Sequence, residues 1–316
     1  MDIIPLSLLN IIKKYRVNYI NINIIIVSKW ENNMVIVLYI LAVLLVWIIG
    51  ITSFSFVNTV TYRFPKNKPI VKEHFCCDKC GQQLRAPEVI PVFSYIALKG
   101  RCRYCGENIS KRDFINEIMG GFAALLVFFR FGHMGELGDI FKLSSLLDII
   151  VLFNIQKLVS LLTIFLFFCI MDLVILVDYD TMEIPNRFVI VMLYVSVAAL
   201  VFVPGISIVN HLIGAVCISV PMLMIMLAIP GAFGGGDLKL TAAVGLFLGW
   251  QLTIIGFLLG LLFGGIYGIV KLAGKKLQKG DHFSFGPFLC GGYMMAAICG
   301  MDLINAYLKL ASILHG

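Results

Sequence analysis

The sequence predicts an all-α polytopic membrane protein of about eight transmembrane helices, with a cytosolic four-cysteine zinc-binding loop inserted after the first. Three observations carry this reading. Of the 316 residues, 60% are hydrophobic and 14% charged, where a soluble domain has about 45–50% and about 25%. Apolar stretches long enough to span a bilayer, or nearly so, recur along the chain. Two C-x-x-C pairs share one polar insert. The mean hydropathy of +0.96 agrees, and 29 glycines suit closely packed membrane helices. The net charge of +7 calls for no nucleic-acid partner, because basic loops are the ordinary signal of membrane topology.

Residues 1–33 are rich in Ile and Asn, carry Lys13, Lys14, Arg16 and Lys29, and match no domain pattern. They read as an N-terminal extension that is not translated, with Met34 as the true start; the alternative is an amphipathic surface helix. The first span is 34–57. The segment 58–113 is a loop domain, and 114–316 is a helical bundle. Within the bundle the expected spans are Phe114–Phe131, Leu158–Val177, Phe188–Val203, Ile206–Ile229, Leu238–Trp250, Leu252–Val270 and Phe285–Leu308. Leu238–Trp250 falls short of the roughly 20 residues a crossing needs. It is either half-buried or joined to its neighbour through Gly249.

Orientation follows from loop charge. The segment 58–113 is the largest basic block, with Arg63, Lys66, Lys79, Arg101, Arg103, Lys111 and Arg112 among its cations. It therefore faces the cytosol. Alternation places 178–187, 230–237 and 271–284 on the same side, and Lys271, Lys275, Lys276 and Lys279 agree.

Nine cysteines are present. Cys77 and Cys80 form one knuckle; 21 residues on, Cys102 and Cys105 form another. Two residues between cysteines let both sulfurs reach one ion, and two knuckles make a closed, structural four-thiolate Zn²⁺ site. Gly81 and Gly106 follow where a tight turn needs them. Cys76 is a competing ligand at a less usual spacing. Cys169, Cys217, Cys290 and Cys299 lie in apolar runs and read as small hydrophobes. His74, His133, His211 and His282 show no ligand spacing.

Two aspartates end or begin apolar stretches beside helix breakers. Asp178 precedes Ile184-Pro185-Asn186, where Pro185 turns the chain. Asp237 follows Gly234-Gly235-Gly236, which permits close backbone approach and positive φ. An ionisable residue at membrane depth is costly and marks a functional site. A carboxylate pair in a hydrated cavity matches aspartic-protease chemistry, one acid and one carboxylate flanking a water. The pair titrates as a unit, so the two roles are shared between them. Asp180 either orients Asp178 or is solvated. Asp172, about 9 Å deeper on the same helix, is expected to hydrogen-bond within the bundle. Lys239 pairs with an acid or snorkels to a headgroup. Glu117 favours a helix N-terminus.

Taken together these residues resemble the type IV prepilin peptidases, a family of Gly-x-Gly-Asp membrane aspartic proteases, from about Phe54 to about Gly292. The likeness lies in Ser55–Asn58 through Pro65, in Pro91–Tyr95, and in Gly100–Gly106 with the cysteines. It continues in Asp178 six residues before Ile184-Pro185, in Gly234–Asp237 followed by Lys239-Leu240, and in Phe285–Leu289. Phe54, Asp78 and Asn186 depart from the family pattern and leave the aspartate pair untouched. The resemblance implies an endopeptidase of the bacterial inner membrane, with Asp178 and Asp237 catalytic and Gly234, Gly236, Lys239, Asp180 and Pro185 supporting. Its substrates would be prepilins and pseudopilins, cut after a glycine at the cytosolic face, with Glu73, Asp78 or Glu183 guiding the basic leader. Members with the four-cysteine loop also N-methylate the new terminus with S-adenosylmethionine, so 58–113 is expected to be methyltransferase-associated. The alternative is an ion- or proton-coupled transporter with a zinc docking loop, against which stand aspartates at one face rather than the midplane.

Overall fold

The computed structural model describes residues 36–69, 75–77, 79–132, 155–203, 205–229, 231, 233–274 and 284–315. Residues 1–33, Glu73, His74, Asp78, His133, Lys275, Lys276, Lys279 and His282 lie outside them. Helix α1 spans Ile36–Arg63. Two short helices, α2 (Ala86–Val89) and α3 (Phe93–Ala97), lie in the cysteine insert. Then come α4 (Lys111–Phe131), α5 (Ile155–Thr181), α6 (Asn186–Phe202), α7 (Ile208–Cys217), α8 (Ser219–Ala228), α9 (Gly235–Leu248), α10 (Trp250–Ala273) and α11 (Gly286–His315). Among the described residues six spans are long and apolar enough to cross a membrane, with α7 and α8 together forming Ile208–Ala228 and α6 a shorter apolar helix. Each predicted apolar stretch thus corresponds to a helix, or to the α7–α8 pair.

The breaks have local causes. Ser110 caps α4 by accepting the Asp113 N–H. Helix α5 ends at Met182, whose φ of 55° is left-handed and whose N–H closes on the Asp178 carbonyl at 2.8 Å. Pro185 then opens α6 at its N-cap. Pro221 has no N–H for the Cys217 carbonyl and its ring crowds that group, so α7 and α8 part at Ile218. Gly249, at φ 78°, separates α9 from α10; of the two expectations for that stretch, the structure has a distinct short helix.

Helix α5 packs on α4, α6 and α11, and α9 on α6, α7, α10 and α11. The buried core gathers Phe167, Met171, Val174 and Val177 of α5 with Met192 of α6, Leu240 and Val244 of α9, and Leu289 and Tyr293 of α11. Helix pairing in lipid relies on close van der Waals contact through small residues. A Cβ on Gly50 of α1 would stand 2.8 Å from the Gly121 Cα of α4, and one on Gly260 of α10 would stand 3.0 Å from the Leu289 Cα of α11. Phe54 is 2% exposed because Gly120 makes room: a Cβ there would lie 2.5 Å from the Phe54 Cβ.

These contacts predict opposite effects for two similar changes. Gly120→Ala destabilises by about 1–3 kcal/mol through overpacking, seen as a lowered thermal midpoint in detergent. Gly265→Ala, which meets nothing within 4 Å, is neutral or gains up to about 1 kcal/mol from helix propensity.

Candidate active site

Asp178 sits in the last turn of α5 and Asp237 in the first turn of α9. The turn after α5 and the glycine run before α9 bring these two ends together. A Cβ on Gly236 would lie 2.8 Å from the Ile184 Cβ, and one on Gly286, at the start of α11, would lie 3.3 Å from the Ile184 Cδ1. Ile184 is therefore wedged between the N-termini of α9 and α11. Both carboxylates are buried, Asp178 5% and Asp237 8% exposed, and they lie within Coulombic range of each other.

Each carboxylate has fixed partners. The Ser284 hydroxyl donates to Asp178 Oδ2, and the Gly286 N–H donates to the same carboxylate. A Cβ on Gly286 would overlap the Asp178 carboxylate, so glycine is required there. Asp237 reaches back to the N–H of Gly234, the N-cap of its own helix, which is the side-chain half of a capping box. None of Gly234, Gly235 and Gly236 takes a positive φ. Of the two properties these glycines offer, the structure uses close approach: Gly236 lies against Ile184, and Gly234 leaves space for the Asp237 carboxylate, 3.1 Å from where its Cβ would be. Cys290 of α11, read from sequence as a small hydrophobe, is fully buried within range of the charges of Asp237, Asp178 and Asp172.

The supporting residues divide. Lys239 donates to Asn186 Oδ1 at 3.0 Å, joining α9 to the start of α6. Its partner is an amide rather than an acid. Asp180 is neither free nor bonded to Asp178. Arg112 Nη1 donates to Asp180 Oδ1 at 2.7 Å and Oδ2 at 2.9 Å, tying the start of α4 to the end of α5. Glu183 is exposed at the turn.

A second polar set, below the pair, was only partly legible in the sequence. Asn116 of α4 donates 2.9 Å bonds both to Asn58 Oδ1 of α1 and to Asp172 Oδ2 of α5. Asn58 in turn donates to the Asp113 carbonyl at 3.0 Å. Asp172 does hydrogen-bond within the bundle, as expected. Asn58 was legible only as part of the Ser55–Asn58 likeness, and Asn116 only as a polar residue inside an apolar stretch. Helix α4 is thus joined to α5 on both sides of Asp178. Glu117 does more than favour a helix end: its Oε2 accepts the N–H of Val92 at 2.7 Å. Val92 has a φ of 62°, a costly conformation for a β-branched residue. Tyr95 also stacks on Phe114 with ring centroids 4.3 Å apart, so the cysteine insert is fastened to α4 at two points.

In that insert the Sγ atoms of Cys77, Cys80, Cys102 and Cys105 all lie within 4.8 Å of one another. The two knuckles are built alike. Cys77 N–H bonds the Gln82 carbonyl at 3.0 Å, and Cys102 N–H bonds that of Glu107 at 2.7 Å. Gly81 and Gly106 take φ of 70° and 71°, so both glycines make the turns expected of them. N–H groups of Cys80 and Lys79 point at the Cys77 sulfur and hold its thiol below the ordinary value. Cys76 pairs instead with Gln83 in a β-bridge and stays outside the cluster. The cluster can hold a metal ion. Glu88 accepts the Arg85 N–H at 2.9 Å and the Tyr104 hydroxyl at 3.3 Å, bracing the second knuckle from behind.

Two family models match this chain. The bacterial peptidase A24 N-terminal domain matches residues 48–131, which take in most of α1, the insert and α4. The type IV leader peptidase family matches residues 165–269, which contain Asp172, Asp178 and Asp237. The chain belongs to the type IV leader peptidase family. It is 28% identical over 267 residues to the prepilin leader peptidase/N-methyltransferase of Bacillus subtilis, covering 84% of this chain and 98% of that protein. The protein of the same name from Pseudomonas aeruginosa is 27% identical over 292 residues, 84% of this chain and 92% of its own. No solved structure matches. Family membership and the six apolar spans make the chain an integral membrane protein. Ser284 and Gly286, which hold Asp178, lie beyond the second match; Gly286 falls within the Phe285–Leu289 likeness, and Ser284 carried no signal.

The polar ties predict unequal costs. Asn116→Leu leaves Asp172 buried without its donor and costs about 1–3 kcal/mol in detergent unfolding. The double change Asn116→Leu with Asp172→Leu costs less than the single one. Arg112→Ala, at an exposed pair, costs at most about 1 kcal/mol.

Proposed function

We propose that this protein is a membrane aspartic endopeptidase that removes the leader peptide of type IV prepilins and pseudopilins and then N-methylates the new terminus. The observation that carries the proteolytic reading is the pair itself: two buried carboxylates on separate helices, in Coulombic range, at one end of the bundle. A transporter relay is favoured near the midplane, whereas this pair stands where α5 ends and α9 begins.

In the proposed reaction one carboxylate of the Asp178–Asp237 pair takes a proton from water, and the other, protonated, donates to the scissile carbonyl. The hydroxide equivalent adds to the carbonyl carbon. The C–N bond then breaks, the nitrogen takes up a proton, and the products are a leader carboxylate and a free N-terminal amine. Ser284 and Gly286 hold Asp178 during this exchange, and Gly234 holds Asp237. The cut falls after the leader's glycine, ahead of the substrate's hydrophobic helix. The site faces the cytosol of the bacterial inner membrane, where basic leaders remain. In the second activity S-adenosylmethionine would supply the methyl group: the amine gains an N–C bond and loses a proton as the sulfonium C–S bond breaks and S-adenosylhomocysteine leaves.

The insert 58–113 is proposed as the zinc-binding, methyltransferase-associated part, with 114–316 as the peptidase bundle. The donor set fits Zn²⁺: tetrahedral thiolates at about 2.3 Å place sulfurs about 3.8 Å apart, and the Cys77 and Cys105 sulfurs stand 3.8 Å apart. A short insert with little apolar core would take much of its folding free energy from the ion.

With purified protein, a prepilin and S-adenosylmethionine, mass spectrometry of the product is expected to show a cut after glycine and one added methyl group. Asp178→Asn and Asp237→Asn each lower cleavage about 100-fold or more while prepilin still binds; wild-type cleavage in either would remove the pair from the mechanism. Metal analysis is expected to find one zinc per chain, lost in a Cys102→Ser, Cys105→Ser double variant and released on acidification as thiolates take up protons.

A further inference from the structure

At the ends of α1, α4 and α5 remote from Asp178 lies a groove with a volume of about 480 Å³. Its walls are apolar: Leu41, Leu45 and Ile49 of α1, Phe128 of α4, and Leu161 and Phe165 of α5 line it. It runs along α1 from Leu38 to Ile49, which at 1.5 Å per residue is about 16 Å. That is about half of a hydrocarbon core of about 30 Å, the depth of one leaflet.

The groove's length and apolar lining suit an extended hydrocarbon chain of one leaflet.

The groove's outer end is polar. Tyr39 lines it, and its Oη is buried with no hydrogen-bond partner. An unpaired buried hydroxyl is unusual and calls for an acceptor. Lys157 lines the same end, half-buried, with no hydrogen bond or ion pair among the described residues. Both residues lie near the first turns of α1 and α5, beside Gly132 at the end of α4. A cation and a hydroxyl donor together, at leaflet-surface height above an apolar slot, match a phosphate ester joined to an acyl chain. We infer that this groove is a binding site for a phospholipid of the leaflet remote from the aspartates. One acyl chain lies along α1 from Leu41 to Ile49, and the phosphate meets Lys157 and Tyr39. The site is independent of the peptidase reading.

The test uses the full chain in nanodiscs containing a phosphatidylglycerol with a photoreactive acyl chain. After irradiation and proteolysis, label is expected on peptides covering 38–49 and 158–165, competed away by unlabelled phosphatidylglycerol. Lys157→Glu is expected to reduce that labelling at least threefold through the headgroup, and Ala42→Phe to reduce it likewise by filling the slot. Labelling spread evenly over the lipid face of α1, and unchanged in both variants, would overturn the site. So would a photocrosslinker placed at Ala42 that captures a prepilin, a second copy, or residues 1–35 or 133–154 of this chain instead of lipid. Unaltered prepilin cleavage in both variants would show that they are folded.

Discussion

A carboxylate withdrawn from water loses several kcal/mol of hydration unless fixed partners replace it, and Asp178 obtains its partners from a segment 106 residues further along the chain. The Ser284 hydroxyl and the Gly286 N–H arrive only because α11 packs along α5 and α10. Asp237 solves the same problem locally, through the free N–H at the start of its own helix. Ile184, wedged between Gly236 and Gly286, sets the spacing of the two solutions. The pair is therefore a product of how three helix ends converge, and the glycines around it serve proximity rather than unusual torsion.

The rest of the bundle is arranged to hold α5 at a fixed depth. Helix α4 grips it above and below Asp178, through Arg112–Asp180 and Asn116–Asp172. The same helix anchors the cysteine insert through Glu117–Val92 and Tyr95–Phe114. One helix thus connects the metal cluster to the aspartate helix by direct contacts. The exposed Arg112 bridge contributes little stability, whereas the buried amide–carboxylate contact would be costly to break. Geometry near Asp178 accordingly depends more on Asn116 than on the better-aligned surface ion pair.

In a solvent as apolar as the side chains, association gains nothing from hiding leucine, so helices meet where backbones can approach. Gly50 against Gly120 and Gly121, and Gly256 and Gly260 against Leu289 and Tyr293, are such contacts. The large apolar side chains of α1 are left pointing outward; Leu41 and Leu45 are 55% and 61% exposed. The slot lies between α1 and α5 on the far side of the Phe54–Phe165 contact.

Composition and periodicity by themselves determined the helical membrane class and each apolar helix, because a lipid solvent demands long apolar segments with self-satisfied backbones. Spacing alone determined the cysteine cluster and its two glycine turns, since a knuckle closes within a few residues. The two family aspartates were legible because charge is rare at membrane depth. What only tertiary structure decided is everything that depends on separate helices meeting. Ser284 and Gly286 as partners of Asp178, Asn58 and Asn116 as partners of Asp172, Arg112 as the partner of Asp180, and the role of Gly236 all fall in that class. Helical sequence specifies which face is polar or small, but the partner of that face is set by crossing points between helices far apart in the chain.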